Sequence, residues 1–180
     1  VAADLLSQAE HDAAAQVLLV TPTRRLAERA VAEVEERVAR LPRAEIARAS
    51  LEQARVILTT DLSQAIEVAN LYAPEHLSLA VSEADSLVPQ VRNAGAVFAS
   101  GAAAETFGDY LAGSSHVLPT DGAARAWSGV GVYTFLKAMS VQSVTAEAAA
   151  SIAAPAALLA RLEALEGHAL AADARLECAR

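Results

Sequence analysis

A chain of 180 residues with 54% hydrophobic side chains is long enough to bury a core, and its formal net charge of -8 repels the phosphate backbone that a nucleic-acid binder must hold. One cysteine, Cys178, excludes an internal disulfide and a thiolate metal cluster and fits a reducing compartment, so the cytoplasm is the expected location. The longest apolar run, residues 148–160, is too short for a membrane span and is interrupted by Ser151 and Pro155, which removes the membrane from the expected partners.

The chain opens in helical pattern with Val1, Leu5 and Ala9 on one stripe, without an initiator Met, a basic leader or a cleavage site, which reads as truncation rather than secretion. Residues 1–11 are expected as a helix and residues 16–20 as a short buried strand. Thr21 with Pro22 behind it predicts a helix start, and Leu26, Ala30, Val31, Val34, Val38 and Leu41 supply its apolar stripe up to Pro42. A strand is expected at 55–59, and Asp61 with Gln64 three residues on resembles a capping box for a helix that runs to about Leu71 and stops at Pro74.

Residues 76–81 alternate like a strand, residues 83–91 read as a helix interrupted by Pro89, and residues 96–99 read as a buried strand. Strands alternating with helices predict an α/β fold, a Rossmann-like parallel-sheet domain that is incomplete here. Residues 101–131 are mainly loop with one helical turn near 104–111, and a loop of that length usually carries function. Residues 132–139 look helical and 141–145 extended. From Ala146 onward, helices broken near Pro155 and Gly167 form a tail, which divides the chain into 1–131 and a mainly helical 132–180.

The chemistry concentrates on four histidines, His11, His76, His116 and His168, each in an unusual setting. Asp109 and His116 stand seven residues apart in a segment rich in Gly, Ser and Pro. Gln8 and His11, at i and i+3, share a helix face, and Asp109 and His168 would add an anionic oxygen and a second imidazole to give a donor set suited to zinc. The plain alternatives are a solvated helix face, a turn cap at Asp109 and a helix-end histidine at His168. Glu75 and His76 follow Pro74 at a helix-to-strand junction and offer adjacent groups for acid–base work; a salt-linked surface dipeptide is the competing reading. His116 and Glu163 read equally as a loop histidine and a charged helix face.

The motifs DLLSQAEHD (4–12), APEHL (73–77), NAGAVF (93–98), GDYLAG (108–113), SHVLPT (115–120) and SVQSVT (140–145) occur in one order along the chain. Together they resemble histidinol dehydrogenase, the zinc- and NAD-dependent enzyme that ends histidine biosynthesis. The resemblance implies Gln8, His11, Asp109 and His168 as zinc ligands, Glu75 as the residue that activates water, His76 as the proton shuttle, and His116 and Glu163 as further substrate contacts. It implies the four-electron oxidation of L-histidinol to L-histidine through the aldehyde, with two NAD molecules each accepting a hydride. It also implies a homodimer with shared active sites, Glu163 and His168 coming from the partner's tail. Family members are more than twice this length, and the half that precedes DLLSQAEHD is missing. The chain therefore looks like a carboxy-terminal portion, without most of the NAD contacts; no G-x-G-x-x-G follows a strand. Two departures are Ser114-Ser115, where Asn often precedes the histidine, and Trp127, where the family has a smaller or different aromatic residue. The alternatives are a non-catalytic zinc-binding, dimerising fragment that lacks the NAD-binding half, and an independent zinc hydrolase using Glu75 with a metal-bound water.

Overall fold

The structure, a computed structural model, describes residues 1–177; Cys178 lies outside the described residues. The chain divides into two compact units, Val1–Phe135 and Leu136–Arg180.

The first unit runs α1 (Ala2–Ala9), β1 (Leu18–Thr21), α2 (Arg24–Val38), α3 (Ala44–Leu51), β2 (Arg55–Leu58), α4 (Leu62–Tyr72), β3 (His76–Leu79), α5 (Ala84–Leu87), a 3₁₀ turn at Val88–Gln90, β4 (Ala96–Ala99) and α6 (Glu105–Tyr110). Two further 3₁₀ turns, Ala123–Arg125 and Val132–Phe135, complete it. The strands form two separate parallel pairs: β1 with β2 from Leu18↔Arg55 to Thr21↔Leu58, and β3 with β4 from His76↔Ala96 to Leu79↔Ala99. Parallel neighbours require a crossover, supplied by α2 and α3 in the first pair and by α5 in the second. The expected mixed α/β architecture is present.

Two apolar clusters hold this unit. Leu6 and Ala9 of α1 meet Val17, Val34 and Val38 of α2, and Ala47 of α3, while Ile66 of α4 meets Leu79 and Ala84. Helix α3 has no counterpart in the sequence-based expectation, because its buried positions include Ala47 and Ser50 in place of large apolar residues. Ser50 is accommodated by donating its hydroxyl to the carbonyl of Ala15 at 2.7 Å.

The start of α2 also differs from expectation. Thr21 is the last residue of β1, its Oγ1 accepts from the N–H of Thr23 at 3.1 Å, and the helix begins at Arg24 rather than Pro22. Asp61 caps α4 as expected, accepting from the N–H of Gln64 at 2.8 Å. The Gln64 side chain returns one residue earlier than a capping box requires, to the N–H of Thr60 at 2.8 Å.

Residues 132–139 do not form the expected helix; Val132–Phe135 is a 3₁₀ turn, and residues 136–145 adopt no regular element. Val132, Tyr133, Phe135, Leu136 and Met139 are all exposed, so the stripe buries nothing and a short helix gains no packing to support it.

In the second unit α7 (Ala146–Leu162) packs against α8 (Glu166–Glu177), with Ala153, Ala157 and Ala169 buried. Thr145 caps α7 by accepting from the N–H of Ala148 at 3.2 Å. The break expected near Gly167 is present a few residues earlier, between Leu162 and Glu166, whereas the one expected near Pro155 is absent. Pro155 lies inside α7, and Gly167 sits in the first turn of α8, where its N–H needs no intrahelical partner. The bend is a Schellman turn: Ala164 is left-handed at φ 59°, the N–H of Leu165 donates to Ala160 at 2.8 Å, and the N–H of Ala164 donates to Arg161 at 3.0 Å. Among the described residues, no helix is long and apolar enough to cross a membrane.

Candidate functional site

The carboxyl end of α4 sets the position of Glu75 and His76. Ala73 takes a left-handed conformation at φ 57° to end the helix, and Pro74 cannot continue it, so the chain turns into β3 at once. Arg125 reaches across to donate to the carbonyl of Leu71, which leaves the last turn of α4 with a cationic partner.

Asn70 fixes the returning segment. Its Nδ2 donates to the carbonyl of Gln90 at 2.9 Å, its Oδ1 accepts from the N–H groups of Arg92 at 2.7 Å and Asn93 at 3.2 Å, and its own carbonyl accepts from Asn93 Nδ2 at 2.9 Å. The asparagine of the NAGAVF motif is thus a structural clamp on α4. Two residues later Gly95 presses against β3: a Cβ there would lie 2.6 Å from the carbonyl oxygen of Glu75, and 3.1 Å and 3.2 Å from Pro119 and Leu118. Glycine at this position lets the Glu75 backbone and the segment after His116 approach together.

His76 opens β3 half-buried, its ring stacked on Phe98 of β4 with centroids 5.9 Å apart and planes inclined by 27°. Its Nδ1 is buried without a hydrogen-bond partner, the one such side-chain atom among the described residues. An orphaned nitrogen of this kind costs about 1–3 kcal/mol and calls for an external partner. Gly108 of α6 also approaches Phe98 closely: a Cβ there would come within 2.9 Å of the aromatic ring.

Helix α6 also presents Glu105, which is only 6% exposed. The Gln8 side chain of α1 donates through Nε2 to Glu105 Oε1. Burial, and then the negative charges of Asp109, Asp4 and Glu75, push the Glu105 carboxyl up from 4.5 to about 7. Gln8 is therefore hydrogen-bonded to a buried acid whose carboxyl also senses the charges of Asp109, Asp4 and Glu75. Sequence inspection did not single out Glu105, although its spacing of four from Asp109 on a short helix was the available signal.

His11 is displaced from its expected place. Helix α1 ends at Ala9, and His11 lies in the turn beyond, exposed, with its N–H donating to Gln8 at 3.2 Å and its carbonyl accepting from Arg43 at 3.2 Å. The i, i+3 proximity of Gln8 and His11 survives as a turn rather than a helix face. Asp109 and His116 are exposed, and Glu163 and His168 belong to the second unit, Glu163 at the Schellman turn and His168 in the first turn of α8. Among the described residues of this chain, no three His, Cys, Asp or Glu side chains gather as a metal site.

The family model described as histidinol dehydrogenase matches residues 1–176. Histidinol dehydrogenase of Thermus thermophilus is 49% identical over 174 residues, which are 97% of this chain and 42% of that protein. The Pasteurella multocida histidinol dehydrogenase is 45% identical over 177 residues, 98% of this chain and 41% of its own length. The crystal structure of histidinol dehydrogenase from Elizabethkingia anophelis is similar at a TM-score of 0.92 and 39% identity, with 98% of this chain and 41% of that one covered. The chain thus spans about two fifths of the length of the relatives it matches.

Proposed function

The chain belongs to the histidinol dehydrogenase family, and on that premise we propose that it is the carboxy-terminal, catalytic-residue-bearing part of a cytoplasmic enzyme that oxidises L-histidinol to L-histidine through L-histidinal. The observations that carry this reading are the hydrogen bond of Gln8 to buried Glu105, whose carboxyl is raised by burial and by the charges of Asp109, Asp4 and Glu75, and the half-buried imidazole of His76, whose Nδ1 lacks a partner. The two parallel strand pairs are read as parts of a Rossmann-like sheet that the remainder of a longer protein completes; the exposed residues of β2, Arg55, Val56 and Leu58, favour such a continuation.

The residues present suit zinc. Gln8 commits its amide nitrogen to Glu105, which leaves its amide oxygen for a cation, and Asp109, Asp4 and Glu75 act on the same buried carboxyl with negative charge that a divalent cation would offset. Gln8, His11 and Asp109 would hold the ion with His168 of a second copy, whose helical tail also brings Glu163. Zinc would supply a Lewis-acid grip on the amino alcohol and imidazole, and NAD a hydride acceptor.

The chain's own residues then divide the proton work. His76 takes the hydroxyl proton as the alcohol is oxidised. His76 releases that proton to solvent; Glu75 takes a proton from water as it adds to the aldehyde carbon and returns it to the former carbonyl oxygen, completing the hydrate, and His76 takes a hydrate hydroxyl proton in the second oxidation. His116 and Glu163 hold the substrate and orient the C–H bond.

Because the chain covers 42% of the Thermus relative, a second reading has it non-catalytic until the rest of the protein is supplied. Histidinol-dependent NAD reduction by the 180 residues alone, and after co-expression with the missing part of a family member, tests both. Activity only in the second preparation is expected. Absence of activity in both would sink the catalytic reading, and robust turnover by the chain alone would overturn its standing as a portion.

A further inference from the structure

We propose that Glu105 is the positioning residue of this site, selecting which end of the Gln8 amide faces the ligand. The inference rests on the reading of Gln8 as a cation ligand and goes beyond it, since Glu105 itself is assigned no contact with metal, substrate or NAD.

A carboxylate accepts hydrogen bonds and does not donate them, so ionised Glu105 can hold only the nitrogen end of the Gln8 amide. The structure places Gln8 Nε2 on Glu105 Oε1. The amide is planar, and fixing its nitrogen against α6 leaves Oε1 as the free end. A cation requires that oxygen; the reversed amide would offer it two N–H groups. A glutamine at position 105 would pair with either end of Gln8, and a leucine with neither. The choice of an acid at a 6% exposed position is otherwise costly, because carboxylates are seldom buried without a partner. The same short helix, α6 (Glu105–Tyr110), carries Asp109 one turn further on. One element therefore bears one proposed ligand and orients another, and Gly108 seats it on Phe98.

The experiment is a double-mutant cycle on the 180-residue chain, with Zn²⁺ alone as the probe. Competition against a chromophoric chelator reads the dissociation constant. Glu105→Leu and Glu105→Gln should each weaken zinc binding roughly 10–100-fold, the range for loss of a residue that orients a ligand. In a Gln8→Ala background the same changes should have no further effect. Thermal melts of the metal-free proteins show whether each variant is folded, and Glu105→Gln preserves shape if Glu105→Leu does not fold. Unchanged affinity in either folded variant, or the same loss with and without Gln8, overturns the proposal while leaving the zinc reading intact. Failure of the unsubstituted chain to bind zinc overturns both.

Discussion

The imidazole of His76 rests on the ring of Phe98 at 5.9 Å, and Gly108 approaches the same ring so closely that a Cβ there would come within 2.9 Å of it. A methyl group at 108 therefore forces Phe98, and with it the stack on His76, or α6 to shift. Gly108→Ala should destabilise the chain by about 1–3 kcal/mol, as overpacking does, read from urea unfolding. In the completed enzyme it should also slow histidinol oxidation with little change in zinc content. Wild-type stability would show that Phe98 has room to move.

Asn70 offers a sharper structural test, because Arg92, Asn93 and Gln90 all lean on it. Asn70→Ala removes the partner of three part-buried backbone groups and should cost about 1–3 kcal/mol. Asn70→Asp keeps the acceptor and loses the donor, so its loss should be smaller. Equal losses would assign the effect to burial rather than to these hydrogen bonds.

The raised Glu105 carboxyl gives stability a definite pH dependence. Between 4.5 and about 7 the folded, metal-free chain keeps a proton that the unfolded chain has released. This contribution is complete below 4.5 and is lost as pH rises through about 7. Urea unfolding in chelator should show the decline in the parent and a flatter profile in Glu105→Gln; parallel profiles would remove Glu105 as the cause.

Sharing of the site between subunits is tested by mixing, in the completed enzyme, a His168→Ala subunit with a Glu75→Ala/His76→Ala subunit. If the tail serves the neighbouring copy, each mixed dimer has one intact site, and free exchange at equal amounts restores about a quarter of the parent activity. If site and tail belong to one chain, no activity returns at any ratio.

Most of the first unit was legible in the sequence because its strands are short apolar runs and Asp61 and Pro74 mark helix ends with standard backbone chemistry. Helix α3 was not, since it buries alanine and serine, which carry no hydrophobic signal. The 132–139 stripe misled in the opposite sense: its apolar spacing is real, but its side chains remain exposed. Glu75, His76, Gln8 and Asp109 stood out through their motifs. Glu105 did not, because burial of an acid follows from the approach of α1 and α6, two segments separated by 97 positions in the chain.

The Schellman turn between α7 and α8 places alanine where glycine is the usual occupant. A left-handed alanine is intrinsically disfavoured by roughly 1–2 kcal/mol, and without it the sequence from α7 into α8 has a reason to straighten into one rod. The hairpin is therefore a conditional shape, upheld by the sealed contact around Ala153, Ala157 and Ala169. Wedging a larger side chain into that seam acts on the hinge as well as on local stability, and with it on the angle at which Glu163 and His168 are carried.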